Sequence, residues 1–431
     1  MTKNKVVNKM MKLLAKENLE KYQIIINNSK KTEMVVERGE ISLLRTTSDT
    51  NLRITAINEN KKASVNINKV DDSSLEEATK NVLELLETSE VDDAYDISPF
   101  QEARQFESGS KEPNKEDMYK LITRFIGAVK LEYPKLNISE SALTFNYTEV
   151  NLVNSNGVDY LQTKGIYSFY VVFTAKDGDN ISSMNFVAFS MNDLEKDLLD
   201  TATLRRLIKE NIEQLETKPI TEKFAGDVLI TPDYLAELIA TFAGIGLSDG
   251  ALIAGTSVLK DSIGKEIASP KLTIRSNPRS KHICDGYSIT SDGFEAKNLT
   301  IVENGVLKNH LLGLYGAKKT AKKRAENSGD AYVVDPGGVS YKDMVKKVKK
   351  GILLSRFSGG NPSPNGDFSG IAKNSYYIED GKVQYPISET MIAGNIYDML
   401  KNIKEISKEQ VNFGNALMPW LLTTGVTISG K

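Results

Sequence analysis

Two histidines and one cysteine are all that 431 residues offer to imidazole or thiol chemistry. His282 and Cys284 stand two apart in the run His282-Ile283-Cys284-Asp285. On a strand that spacing puts both on one face, where an imidazole, a thiolate and the nearby Asp285 carboxylate can meet one ion. A further ligand must come from far along the chain, and His310 is the only imidazole left to supply it. The preferred reading is a small packed thiol beside a surface histidine. A Cys284–His310 or Ser–His pair has no supporting spacing, since no Gly-x-Ser-x-Gly elbow occurs. One cysteine also excludes an intramolecular disulfide and any multi-cysteine metal cluster.

Anion chemistry has three candidates. Gly255 to Glu266 misses the phosphate-loop spacing and lacks a hydroxyl after Lys265. Lys318, Lys319, Lys322, Lys323 and Arg324 crowd one expected helix, and Lys346, Lys347, Lys349 and Lys350 another. Side by side they would hold phosphates, but Tyr315 alone makes no base-stacking platform. With 55 basic against 57 acidic residues the net charge is −2, so solvated helix faces are preferred over a nucleic-acid binder. The third is the irregular run from Gly359, Gly360 and Asn361 through Gly366 and Asp367 to Gly370, able to turn backbone N–H groups toward an anion or a peptide.

These residues need a scaffold, and the patterning outlines one. Hydrophobic residues at 40% and charged residues at 26% describe an ordinary folded chain. No run approaches ~18 apolar residues, and the Lys-rich start reads as an amphipathic helix rather than a signal peptide, which places the expectation in the cytoplasm. Residues 1–90 read as helix, short strands (Tyr22–Ile26, Glu33–Arg38, Ile41–Thr46, Leu52–Asn58, Lys61–Asn68) and a helix over Asp72–Thr88, with Ser73 and Glu76 at capping-box spacing. Residues 91–113 are polar and read as linker. Residues 114–220 repeat the plan: a helix with Met118, Leu121, Ile122, Phe125 and Val129 on one face, a meander, then a helix from Asp193 to about Glu216. Residues 221–431 are strand-rich, with helices expected at Asp233–Ala243, Gly313–Glu326 and Ser340–Lys350. The expected class is α+β: two helix-plus-antiparallel-meander layers followed by a strand-rich C-terminal domain.

Several stretches resemble the TldD/PmbA family, which also carries the name "modulator of DNA gyrase". They are Ile301-Val-Glu-Asn-Gly-Val-Leu-Lys-Asn-His310-Leu-Leu, Asn361-Pro-Ser-Pro-Asn-Gly-Asp-Phe-Ser-Gly370, Ser375-Tyr-Tyr-Ile-Glu-Asp-Gly-Lys-Val383 and Pro386-Ile-Ser-Glu-Thr-Met-Ile-Ala-Gly-Asn395. Nearer the start, Thr32-Glu-Met-Val-Val-Glu-Arg-Gly-Glu-Ile41 and Ser74-Leu-Glu-Glu-Ala78 extend the match, so it runs from about Tyr22 to Gly430.

The resemblance implies two branches. TldD-like members are zinc peptidases with His-Glu-x-x-x-His on a helix and a cysteine ligand near the C-terminus; two imidazoles and a thiolate hold the metal and the Glu handles the proton of the attacking water. Here the matching window, counted back from Gly255-Thr-Ser-Val258, puts Ala240 at the first His, Thr241 at the Glu and Ile245 at the second His, and no cysteine follows Cys284. The chain therefore resembles the metal-free TldE/PmbA branch. That implies a non-catalytic subunit with no cofactor of its own, its zinc-bearing TldD-like partner forming with it a cytoplasmic protease for unfolded or modified peptides. Whether a homodimer forms without that partner is left open by the sequence. The alternative is a regulator touching DNA or gyrase. Expected contacts with peptide or partner are Gly359, Gly360, Asn361, Gly366, Asp367 and the only tryptophan, Trp420, for which ordinary core packing is the favoured alternative.

Overall fold

The computed structural model describes residues 3–430; Met1 and Thr2 of the amphipathic start, and Lys431, lie outside them. Two-residue turns set the register of the first half. Arg38-Gly39 and Glu59-Asn60 both have positive φ at both residues, the backbone twist that matches paired strands. They join Lys21–Glu37 to Glu40–Asn58 and that strand to Lys61–Ile67. The runs expected as separate short strands are continuous. The polar middle of Lys21–Glu37 stays paired because it has a neighbour on each side, Asn27 lying opposite both Asn51 and Val150. Alternating apolar residues marked which stretches are buried, not where the strands end.

The same pairing corrects the expected boundary at 90. Lys21–Glu37 runs antiparallel to Leu136–Asn154, from Gln23 opposite Asn154 to Glu37 opposite Glu140, so both helix-and-meander units share one eight-stranded sheet. Nor is 91–113 a bare linker: Arg104–Ser108 lies parallel to Asp159–Asp177 at the sheet's end. Helices Lys3–Ala15 and Asp72–Thr88 bury Val6, Met10, Leu14, Leu75 and Val82 over Ile24, Leu52 and Ile54. Helices Lys115–Glu132 and Leu204–Glu213 bury Met118, Ile122, Phe125, Leu207 and Ile208 over Leu143, Phe169 and Phe173. Each such side chain contributes about 1.5–3 kcal/mol relative to exposure. The cap of Asp72–Thr88 is Asp71, whose carboxylate accepts from the Ser74 N–H, rather than Ser73. The helix expected over 193–216 is shorter, a 3₁₀ turn at Leu198–Asp200 and then Leu204–Glu213.

The C-terminal part is a mixed thirteen-stranded sheet centred on Leu417–Ser429, Lys223–Ile230 and Lys350–Leu354. Its period of two separates the faces. Val228, Ile230, Ile352 and Leu354 point to a large core under helix Pro232–Leu247; Leu229 and Leu353 point to a smaller one with Met344, Tyr341 and Trp420. The α+β class is borne out.

The basic runs do not form an open patch. The helix expected over Gly313–Glu326 is Leu314–Thr320, because Ala321 turns left-handed. Lys318 pairs with Asp96, Lys319 with Asp92 at 3.0 Å, Lys322 with Asp261 at 3.3 Å and Arg324 with Asp292 at 2.7 Å. Tyr315 donates to Asp92 and stacks on Tyr95 at 5.4 Å. The stretch expected as linker thus supplies the carboxylates that hold the C-terminal part. Against desolvation, Lys21 and Lys318 keep the Asp96 carboxyl below its usual range. In the second run Lys346 pairs with Asp343, Lys347 with Glu405 and Lys350 with Glu222.

Candidate functional site

Helix Pro232–Leu247 starts with proline at its first position, where a missing N–H costs nothing. Tyr234, Leu235, Leu238, Ile239, Phe242 and Ala243 face the core. The remaining stripe, Glu237, Ala240, Thr241 and Gly244, recurs at three- and four-residue spacing. Glu237, Ala240 and Gly244 are exposed and Thr241 is half-buried; Ile245 is half-buried and packs against the core. The helix is continuous α across the window, so positions 240 and 245 point about 140° apart. Ala240, Thr241 and Ile245 carry no metal-binding donor suited to zinc, and the residues present do not fit the ion the resemblance implies for catalytic relatives.

The glycine run sits beside this helix. Arg356–Gly359 and Asp367–Lys373 form a hairpin, with Gly359 opposite Gly370. Phe357 lies against Tyr234 at 5.9 Å, and its ring fills the space a Cβ on Gly359 or Gly370 would need. Gly366 has φ +91° and lies against the ring of Tyr397, which packs on Phe242 at 6.1 Å. Asp367 accepts from Asn365 and Asn395, each at 2.8 Å, fixing the loop from within. Gly359, Gly360, Asn361 and Asp367 are exposed, whereas Gly366 is buried. At the root of the hairpin Arg356 covers Phe186 at 4.5 Å and donates to the Met184 carbonyl. Although Glu237 is exposed, partial desolvation of its carboxyl pushes it up, opposed by Arg356. The result is a helix face and a strand edge open side by side.

Trp420 is not part of that surface. Its ring meets that of Tyr341 at 5.1 Å, tilted 43°, and packs against the smaller core on the other face of the sheet. The histidines and Cys284 do not converge either. Residues 280–286 form turns rather than a strand, His282 is exposed, and Asp285 is bound to Lys164 at 2.7 Å and Ser190 at 3.0 Å. His310 is buried, its ring donating to the Leu259 carbonyl at 3.0 Å, and burial pushes its imidazole down. Among the described residues no three His, Cys, Asp or Glu side chains are grouped to hold a metal. Burial and Asp285 push the Cys284 thiol up to about 11. Its thiolate fraction at neutral pH should fall roughly a hundredfold below that of a free thiol, so iodoacetamide should label native protein correspondingly slower than unfolded protein. Equal rates would contradict this.

A partly buried ion cluster escaped sequence reasoning. Arg206 donates to both oxygens of Glu210, at 2.7 and 2.8 Å, and also to Asp233, which takes a second bond from Thr203. It ties helix Leu204–Glu213 to the start of Pro232–Leu247. The four-residue spacing of Arg206 and Glu210 was a readable signal; the arrival of Asp233 was not.

The family model for the PmbA/TldA metallopeptidase C-terminal domain matches residues 223–430, and that for metallopeptidase domain 1 matches residues 22–86. The chain belongs to the PmbA/TldD family. Metalloprotease PmbA of Escherichia coli O157:H7 is 29% identical over 234 residues, 52% of this chain and 49% of that protein. The Haemophilus influenzae PmbA homologue is 28% identical over 51% of this chain and 48% of its own length. The chain thus spans about half the length of these curated relatives. Solved structures extend the likeness of fold to nearly the whole chain. TldE from Thermococcus kodakarensis superposes with a TM-score of 0.83 at 19% identity, covering 99% of this chain and 100% of its own. A Bacteroides thetaiotaomicron protein named as a candidate modulator of DNA gyrase gives 0.86 at 20% identity, covering 99% of each. The open helix face and the hairpin both lie inside the matched PmbA/TldD C-terminal domain, whose naming is metallopeptidase.

Proposed function

We propose that this chain is a non-catalytic, TldE/PmbA-like subunit that pairs with a TldD-like zinc subunit in a cytoplasmic protease for unfolded or modified peptides. The observation that carries the reading is Ala240, Thr241 and Ile245 on a regular helix within an intact PmbA/TldD domain. The chain keeps the scaffold and lacks donors where the catalytic branch has them. The zinc and the water-activating Glu then belong to the partner. Gly359, Gly360, Asn361 and Asp367 stand on an exposed hairpin beside the open helix face, so an extended peptide or a partner strand can add to its edge. A specific subunit interface should bury on the order of 1,600 Å².

The ion pairing of the basic runs argues against the regulator of DNA as a second reading. Co-expression with a homologue that keeps His-Glu-x-x-x-His should give a mixed complex on size exclusion and peptide cleavage that depends on both chains. The reading fails if the homologue alone cleaves as fast as the mixture and no mixed complex elutes.

A further inference from the structure

A cavity of about 640 Å³ lies between helix Leu204–Glu213 and the sheet face that carries Trp420. That size falls within the roughly 300–1,000 Å³ of small-molecule sites. Leu199, Leu353, Val411, Tyr376, Tyr341 and Trp420 supply apolar wall, with the Tyr341 and Trp420 rings in contact at 5.1 Å and tilted 43° to each other. Charged groups also line it, and their pairing is one-sided. Each carboxylate already has a donor: Asp200 has Arg205, Glu210 has Arg206, and Glu213 accepts from the Tyr376 hydroxyl at 2.6 Å. The donors are left over. Among the described residues the exposed Lys209 ammonium makes no ion pair, and neither the Tyr341 hydroxyl nor the Trp420 indole N–H makes a hydrogen bond.

An aromatic wall with spare donors and satisfied acceptors selects an anion with an apolar body. A dianionic phosphate would meet one free cation among three carboxylates; a single carboxylate suits one ammonium. We propose that this cavity binds a small carboxylate carried on an aromatic or branched apolar group. Such chemistry occurs in free aromatic acids and at the C-terminus of a peptide that ends in an apolar residue. The site is distinct from the hairpin and helix face and does not depend on the subunit reading.

Because Trp420 is the only tryptophan, intrinsic fluorescence of the full chain reports occupancy directly. The probes are hydrocinnamate, the tripeptide Gly-Gly-Phe with a free C-terminus, and N-acetyl-phenylalanine with its amide as the neutral control. Saturable changes are expected with the acids, and the amide should bind about tenfold or more weakly, the usual worth of a hydrogen bond to a charged group. Lys209→Gln, at an exposed position, should weaken N-acetyl-phenylalanine by a similar factor and leave the amide unchanged. Tighter binding of Gly-Gly-Phe than of hydrocinnamate assigns the site to peptide termini, and the reverse assigns it to free acids; either supports the proposal. No saturation below about 10 mM, equal binding of acid and amide, or an unaffected Lys209→Gln variant overturns it.

Discussion

Arg206→Leu should lower the stability of the chain by about 3 kcal/mol, read as a fall in the urea midpoint of the first transition at unchanged slope. The substitution keeps helix propensity and removes the cation from between Glu210 and Asp233. Two partly desolvated carboxylates are then left facing each other, and this residual charge, rather than the lost attraction, sets the cost. A quarter of the Arg206 side chain still meets solvent, which keeps the figure at the low end for buried pairs. The pH dependence gives the sign. Desolvation already holds the Glu210 carboxyl above its usual range in the folded chain, so the folded state takes up its proton before the unfolded state does. Stability contributed by that proton is present below the unfolded value and lost as pH rises through the folded one. Without Arg206 this effect grows, and the deficit of the variant should shrink between neutral pH and about pH 5. Replacing Arg206, Glu210 and Asp233 together by Leu, Met and Leu should recover most of the loss. A deficit that widens on acidification would contradict the assignment.

How much of this was legible follows from where the information sits in the chain. Apolar faces such as Met118, Ile122 and Phe125 are local, and they placed the helices. Turn chemistry is local too: the positive-φ pairs Arg38-Gly39 and Asp380-Gly381 close hairpins. Pairing between distant strands is not local. Nothing within Lys21–Glu37 announces Leu136–Asn154 as its neighbour, so one sheet read as two units. The partners of the first basic run are equally non-local: Asp96 and Asp92 reach the exposed Lys318 and Lys319 from more than 200 positions away. At the site, the missing donors at 240, 241 and 245 were visible by resemblance, and the exposed side of the helix on which Ala240 and Thr241 stand required the fold.

That exposure changes what restoring the motif should do. The variant A240H/T241E/I245H places its new side chains at one exposed and two half-buried positions. The fold should therefore survive, at a cost of about 1–2 kcal/mol, mostly from Ile245, and not the several kcal/mol expected for a fully buried helix. Activity is another matter. On the regular helix Pro232–Leu247 the two imidazoles diverge by about 140° and cannot meet one ion without local distortion. A third ligand is also lacking, because Cys284 sits in the turn beside Asp285 and lines clefts facing strand Arg104–Ser108 and strand Glu405–Asn412. Supporting groups that orient metal ligands are typically worth another 10- to 100-fold. Untagged wild-type chain should show no stoichiometric zinc by elemental analysis, and the triple variant only loosely held zinc that is lost on dialysis. Its peptide cleavage should remain at least about a hundredfold below that of the mixed complex. Chelator-sensitive cleavage within tenfold of the complex would mean that the helix bends on binding metal and that the scaffold retains a ligand not identified among these side chains.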